Sequence, residues 1–351
     1  MIHFILLLAC AAVIYRACEW FVNAVEWLGQ RLQVGPLAVG TILAAFGTAL
    51  PESVVTFVAV VFGGSEAQKD IGVGAAMGGP LALATVAYGV TGWMMLARRR
   101  ARAMVPAGGQ GRPGRGDGEV AGAGDGQDVG DVEKLARDQR WFLAIFVVKV
   151  ALGLVAFAVK PWLGLLFFAA YAVYFWREIR GGGEHGDGAD LAPLFLQRRR
   201  ANPATWAVAA QTLITLAIIF VASQLFVHQL DAIGPMLGLP AAVTALLLSP
   251  IATELPEIMN ALIWVRQGKT PLALANISGA MMIQATVPSG LGLLFTPWRF
   301  DTALLISGVA TMAAIVYLLG LLRTGRFGAK GLSFAALFYV AFAACLIPVL
   351  V

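Results

Sequence analysis

The sequence predicts an all-α integral membrane protein of about ten transmembrane helices, arranged as two inverted five-helix repeats. Three observations predict it. First, 59% of the 351 residues are hydrophobic and only 13% are charged, with a mean hydropathy of +0.79; a soluble domain carries about a quarter charged residues. Second, the apolar residues recur in stretches of roughly 20, the length a helix needs to cross about 30 Å of hydrocarbon. With no water to satisfy the backbone there, helices are the default spanning structure. Third, the chain aligns with itself at an offset of 205 residues.

The spans fall at 2–28, 36–62, 71–97, 141–159, 161–178, 204–228, 238–265, 271–295, 300–322 and 332–350. Residues 1–97 hold helices 1–3 of the first repeat, 139–178 its helices 4–5, and 204–351 the second repeat. Two polar interruptions separate them. Residues 98–138 are rich in Gly, Arg and Asp with almost no large apolar residue, and predict a disordered linker. Residues 179–203 predict a shorter polar linker, in which Glu184, His185, Asp187 and Asp190 form a weak candidate metal cluster.

Counting connections alternately from the N-terminus places 20 of the 25 Lys and Arg residues on one side and three (Lys69, Lys160 and Arg299) on the other. Arg16 and Lys149 fall inside spans. The positive-inside tendency then makes the basic side, with residues 98–138, cytoplasmic and puts both termini outside, with the cell membrane as the expected location. The basic residues flank apolar segments, so the pI of 9.3 reflects membrane flanks and implies no nucleic-acid partner. Cys10, Cys18 and Cys345 are odd in number and lie in apolar segments, which predicts helix-packing residues without a disulfide framework. Leu7-Leu8-Ala9-Cys10 resembles a lipoprotein cleavage site, but no basic residue precedes it and the apolar run continues.

The repeat carries the chemistry. At the 205-residue offset Thr48-Ala49-Leu50-Pro51-Glu52 falls on Thr253-Glu254-Leu255-Pro256-Glu257, and Gly74-Ala75-Ala76-Met77 falls on Gly279-Ala280-Met281-Met282. Five spans per half, an odd number, invert the second copy relative to the first, a recurrent transporter design with sites at midplane helix breaks. An ionised side chain at mid-bilayer costs about 2.5–3.5 kcal/mol on insertion scales, so Glu52, Glu254 and Glu257 need protons, partners or a bound cation. Pro51 and Pro256 lack an N–H, which frees the carbonyls of Gly47 and Ala252. Thr48 and Thr253 add hydroxyls one turn away. Carbonyls and carboxylates together are the oxygen donors hard cations take. The competing reading of each Glu-Pro pair is a helix kink whose carboxyl bonds a neighbouring helix. Arg16 and Glu19 are expected to pair with each other, and Gln211, Gln224 and His228 to bond between helices.

These motifs resemble the sodium/calcium exchanger superfamily, the cation/calcium antiporters, in a divergent prokaryotic-type form. In that family each half carries a G-T-S-L-P-E-like segment followed by a helix with a G-S-N-x-x-N/D-like segment. Gly47-Thr48-Ala49-Leu50-Pro51-Glu52 and Ala252-Thr253-Glu254-Leu255-Pro256-Glu257 resemble the first element. Gly74 to Gly79 and Gly279 to Gln284 resemble the second more weakly. The resemblance implies that Glu52 and Glu257 are the central cation-binding carboxylates, that Gln284 stands at the Asn/Asp position, and that Gly79 is its counterpart. The family's serines are replaced by Ala49, Ala75, Ala280 and Glu254, which removes hydroxyls for sodium and adds a carboxyl able to carry a proton. Asn260 and Asn276 could enrich the second half. The implied activity is antiport of a divalent cation, calcium by resemblance, against sodium or protons. Inorganic cations and the bilayer are then the partners, the transported calcium, sodium or proton binds transiently, and no resident cofactor or covalent chemistry is expected. Two rivals are a degenerate scaffold or regulator that no longer transports, and an intramembrane hydrolase using Glu254 and Glu257. The second lacks a histidine set, since His3, His185 and His228 lie near span ends or in linkers.

Overall fold

The computed structural model describes residues 2–35, 38–62, 66–103, 132–180, 191–236, 247 and 249–350. All regular structure among them is helical. Six helices are long and apolar enough to cross a membrane. The elements are α1 (Ile2–Arg31), α2 (Ala45–Val61), α3 (Glu66–Ala82), α4 (Tyr88–Ala103), α5 (Val132–Leu154), α6 (Gly164–Arg180), α7 (Thr205–Met236), α8 (Ser249–Thr253), α9 (Leu255–Gln267), α10 (Thr270–Phe295), α11 (Thr302–Arg323), α12 (Ala329–Phe334) and α13 (Ala336–Leu350).

Burial divides the helices into two groups. The most apolar windows of α10 and of the continuous α3–α4 stretch (Gly72–Ala101) are 83% and 78% buried, against 28–39% for the other four spans. These two therefore form the centre, and they are the segments that carry the second motif element in each copy. α10 packs against α2, α3, α5, α6 and α9. The outer helices α1, α7, α11 and α13 expose large apolar side chains such as Leu8, Leu213, Val309 and Val340. That apolar exterior is suited to acyl chains.

Close approach at the centre depends on glycine. A Cβ on Gly279 of α10 would lie 2.6 Å from the Thr41 Cα, and one on Gly40 would lie 2.9 Å from the Leu272 carbonyl oxygen. Small residues let membrane helices meet backbone to backbone. The α9–α10 hairpin is set by Gly268, whose φ of 88° closes α9. Its N–H bonds the Val265 carbonyl and that of Lys269 bonds Trp264, the paired geometry of a left-handed helix cap.

Several boundaries depart from the sequence expectation. Span 36–62 is not one α-helix: a π-helical turn covers Val39–Ala44 before α2. Leu247, the residue 205 positions after Ile42, has the same π conformation. Span 238–265 is divided into α8 and α9, with 237–246 outside the described residues. α5 starts at Val132, so residues 132–138 are helix and not linker. Two of their charges are drawn inward, the buried Asp138 and the half-buried Lys134: Lys134 pairs with Glu178 at 2.5 Å and with Asp138 at 3.4 Å, and Glu178 accepts from the Thr41 hydroxyl at 3.0 Å. At its other end residues 98–103 continue α4 and are helix as well, and the rest of the first linker, 104–131, lies outside the described residues.

Residues 191–203 also correct the linker expectation. Leu194 is fully buried, Asn23 and Trp27 of α1 donate to the Ala192 carbonyl at 3.1 and 3.0 Å, and Phe195 stacks on Trp20. Gln211 completes this junction, accepting from the Leu196 N–H and donating to the Trp20 carbonyl. Residues 181–190, with the candidate metal cluster, lie outside the described residues. Arg16 and Glu19 pair at 2.6 Å as expected. Cys18 is buried, but Cys345 is exposed and is no helix-packing residue.

α5 ends at Leu154, short of the expected 159, and the turn beyond it is fastened by Lys160. Its ammonium, buried at the chain turn, donates to the carbonyls of Val155, Pro297 and Trp298 at 2.6, 3.1 and 2.8 Å. Lys160→Met keeps the aliphatic stem but leaves three carbonyls without this donor. The expected loss is about 1–3 kcal/mol, read as a lower midpoint in thermal unfolding of the purified protein; an unchanged midpoint would show that the staple contributes nothing.

Candidate functional site

The second copy of the motif is a helix break. α8 ends at Thr253, Glu254 takes φ −83° and ψ 4°, and α9 begins at Leu255 with Pro256 in its first turn. Proline supplies no N–H, so the Ala252 carbonyl loses its helical donor, while the bonds on either side persist, from the Glu254 N–H to the Pro250 carbonyl at 3.2 Å and from the Ile258 N–H to the Glu254 carbonyl at 3.0 Å. The Thr253 hydroxyl turns back to the Pro250 carbonyl at 3.2 Å. The side chains of Glu254 and Glu257 have no exposed surface, and that of Glu254 faces α10, where Gln284 donates to it. The first copy behaves differently. α2 is continuous over Ala45–Val61, and the expected break at Pro51 is absent; its departure from α geometry lies upstream, in the π turn. Gly47 is half-buried beside Phe21 and Leu216, and the buried Thr48 hydroxyl donates to the Ala44 carbonyl at 3.0 Å. The backbones of Glu52 and Ala252 lie in α2 and α8, whereas their side chains lie outside the described residues.

Around the second copy the polar groups converge. Gln284 of α10 donates from Nε2 to Glu254 Oε1 at 2.7 Å. Asn276, about two turns earlier on α10, donates to the Glu257 carbonyl at 3.2 Å. The Cys18 thiol of α1 reaches the Pro256 carbonyl at 3.8 Å. Asn260, three residues after Glu257, is fully buried, and its amide nitrogen and oxygen have no hydrogen-bond partner among the described residues. A buried amide in that state carries a desolvation penalty of about 1–3 kcal/mol.

Gly79 and Gln284 meet here. A Cβ on Gly79 would fall against Gln284 Oε1 and 2.7 Å from Glu254 Oε1. Read from sequence, Gly79 was a lost ligand; in the structure it is the space that the longer Gln284 side chain fills. These residues are 205 positions apart, so the two copies touch at corresponding points. The structure therefore brings Glu254, Gln284 and Gly79 together, with Glu257 and Asn276 beside them. Thr48 and Thr253 spend their hydroxyl hydrogens on carbonyls of their own segment.

This is the fold of an all-helical membrane transporter. The sodium-calcium exchanger NCX_Mj, in its form soaked with 2.5 mM Na+ and 0.1 mM Ca2+, superposes with a TM-score of 0.72 over 99% of both chains at 16% identity. A putative antiporter, CaxA of Alkalimonas amylolytica, is 24% identical over 316 residues, covering 88% of this chain and 86% of its own. Inner membrane protein YrbG of Escherichia coli (strain K12) is 26% identical over 306 residues, 85% of this chain and 81% of its own. Residues 2–179 and 207–349 match the sodium/calcium exchanger protein family, and the chain belongs to that family. It is a family of transporters, and the hydrolase reading of Glu254 and Glu257 falls with that assignment.

Gly79→Ala drives a methyl between Gln284 and Glu254. It is expected to break their bond and lower the unfolding midpoint by the equivalent of about 1–3 kcal/mol. Gly74→Ala, five residues earlier on α3, where an added Cβ meets nothing within 4 Å, is expected to leave the midpoint level or raised. Equal midpoints for the two variants would contradict the packing described here.

Proposed function

We propose that the chain is a secondary-active cation antiporter that moves a divalent cation, calcium foremost, against sodium or protons. Transport proceeds by alternating access at a midplane glutamate site. The observation that carries this reading is the pair of fully buried carboxyls, Glu254 and Glu257, at a helix break facing Gln284 and Asn276. Carboxylate, amide and carbonyl oxygens suit a hard cation, and burial in hydrocarbon makes a bound cation or proton the natural counter-charge. Glu52, Thr48, Thr253 and the carbonyls of Gly47 and Ala252 complete the site. In this reading Glu52 from the first half and Glu257 from the second bracket one divalent ion, and Glu254 takes the exchanged proton or adds a sodium ligand.

The architecture that goes with this function is ten spans in two inverted halves. The 205-residue self-alignment, the π geometry at both Ile42 and Leu247, and the meeting of Gly79 with Gln284 all favour it. The concentration of 20 basic residues on one face favours a cell-membrane protein with both termini outside and residues 98–138 in the cytoplasm. The names of the relatives, an antiporter and a sodium-calcium exchanger, point to the same chemistry.

The test is calcium uptake into proteoliposomes under imposed sodium or proton gradients. Uptake is expected to follow one of the two gradients, and Glu257→Gln and Glu52→Gln are each expected to reduce it at least roughly tenfold. Normal transport by both variants would remove the glutamates from the site.

A further inference from the structure

Lys149 lies within α5 with no exposed surface, and the repeated motif does not account for it. Its Nζ donates to the Ala76 carbonyl at 2.8 Å and stands 4.6 Å from the centre of the Phe146 ring. Among the described residues no carboxylate pairs with it. Its own carbonyl accepts from Trp298 Nε1 at 3.1 Å, which fixes the backbone from the other side. The ammonium is held by one carbonyl and by the face of one ring, a cation–π contact.

The carbonyl it uses is available for a specific reason. α3 contains Pro80 within its helical length, four residues after Ala76. In an unbroken ladder residue 80 would donate to residue 76, and proline cannot. Ala76 belongs to the first copy of the second motif element, and Gly79, one turn on (about 5 Å along the axis), touches Gln284 and Glu254. The lysine thus occupies an oxygen that a proline has freed, one helical turn from Gly79 and its contact with Glu254.

We propose that the Lys149 side chain, in its protonated form, is a built-in cation of the transport site: tethered to α5, it fills a backbone-oxygen position on α3 and then supplies a positive charge to the glutamates. The site then needs one mobile positive charge fewer to reach balance, and its affinity for calcium is held down by repulsion. This rests on the reading of Glu254 and Glu257 as cation ligands. The bland competitor is a staple that only satisfies the Ala76 carbonyl.

Three variants of the full-length protein separate the two, with calcium titrated by calorimetry and thermal shift at fixed pH and sodium. Lys149→Gln keeps an N–H donor for Ala76 and removes the charge. Lys149→Arg keeps the charge. Lys149→Met combined with Pro80→Ala restores the helix's own donor to Ala76 without the charge, and guards against a single variant that fails to fold. The charge-free variants are expected to bind calcium at least roughly tenfold more tightly than wild type, as a unit charge one or two turns away requires at an effective dielectric near 20. Lys149→Arg is expected to stay near wild type. Calcium binding by Lys149→Gln where wild type shows none also supports the proposal. Folded charge-free variants with wild-type calcium affinity, or with no binding at all, overturn it and leave the staple. If Glu257→Gln binds calcium as wild type does, the glutamate site itself falls, and the proposal falls with it.

Discussion

In hydrocarbon each backbone N–H and C=O has to be satisfied within the protein, and this chain removes N–H groups at the positions where satisfaction is hardest to arrange. Pro80 and Pro256 both lie in buried segments. Each leaves a carbonyl four residues earlier without its helical donor, and the two cases are resolved differently. At Pro256 the helix gives way: α8 stops, Glu254 turns, and α9 starts afresh. At Pro80 the helix continues and a side chain from another helix, Lys149, supplies the donor. The glycine contacts, the buried amides and the central position of α10 serve to make these two solutions fit side by side.

The buried carboxyls are tenable only because the surroundings are polar in detail while apolar in bulk. Gln284 reaches Glu254 because Gly79 has no side chain to stop it. Asn276 steadies α9 through a backbone carbonyl, so its position does not depend on the ionisation of Glu257. Asn260 sits with donors and acceptor unspent among the described residues. An apolar filling of the same volume would be at least as stable without ligand. Retaining polar groups there makes sense for a cavity whose guest is charged, which is the physical content of the antiporter reading.

What was legible in the sequence was what depends on composition and on the repeat. Helical class and most spans follow from hydropathy alone; the 205-residue offset picked out Glu254 and Glu257, and the family resemblance picked out Gln284 and Gly79, before any geometry. Hydrogen-bond register was not legible. The π turn at Val39–Ala44 has the same apolar letters as an α-helix, so span 36–62 read as one element. The early start of α5 was hidden because Lys134, Arg137 and Asp138 read as solvated charges, although Glu178 of α6 pairs with Lys134 and Arg137. Leu191-Ala192-Pro193-Leu194 was too short an apolar run to outweigh the polar residues around it, yet Asn23 and Trp27 fasten it to α1. Pro51 and Pro256 looked alike; only the second breaks its helix, because neighbouring packing decides whether a lost hydrogen bond is tolerated or released.

The two copies differ at two matching positions. The second half carries Glu254 and Gln284, long polar side chains at the centre. The first half carries Ala49 and Gly79 at the matching places, and Gly79 leaves the space that Gln284 and Glu254 occupy. Had both halves kept long polar ligands, Gln284 and its counterpart would compete for one space. On the proposed reading the charge is redistributed as well as the volume, with negative groups on the second half and the Lys149 ammonium against the first. The electrostatics of such a site belong to the pair of halves together: the number of mobile cations it takes follows from the balance between them, not from counting the glutamates in either motif.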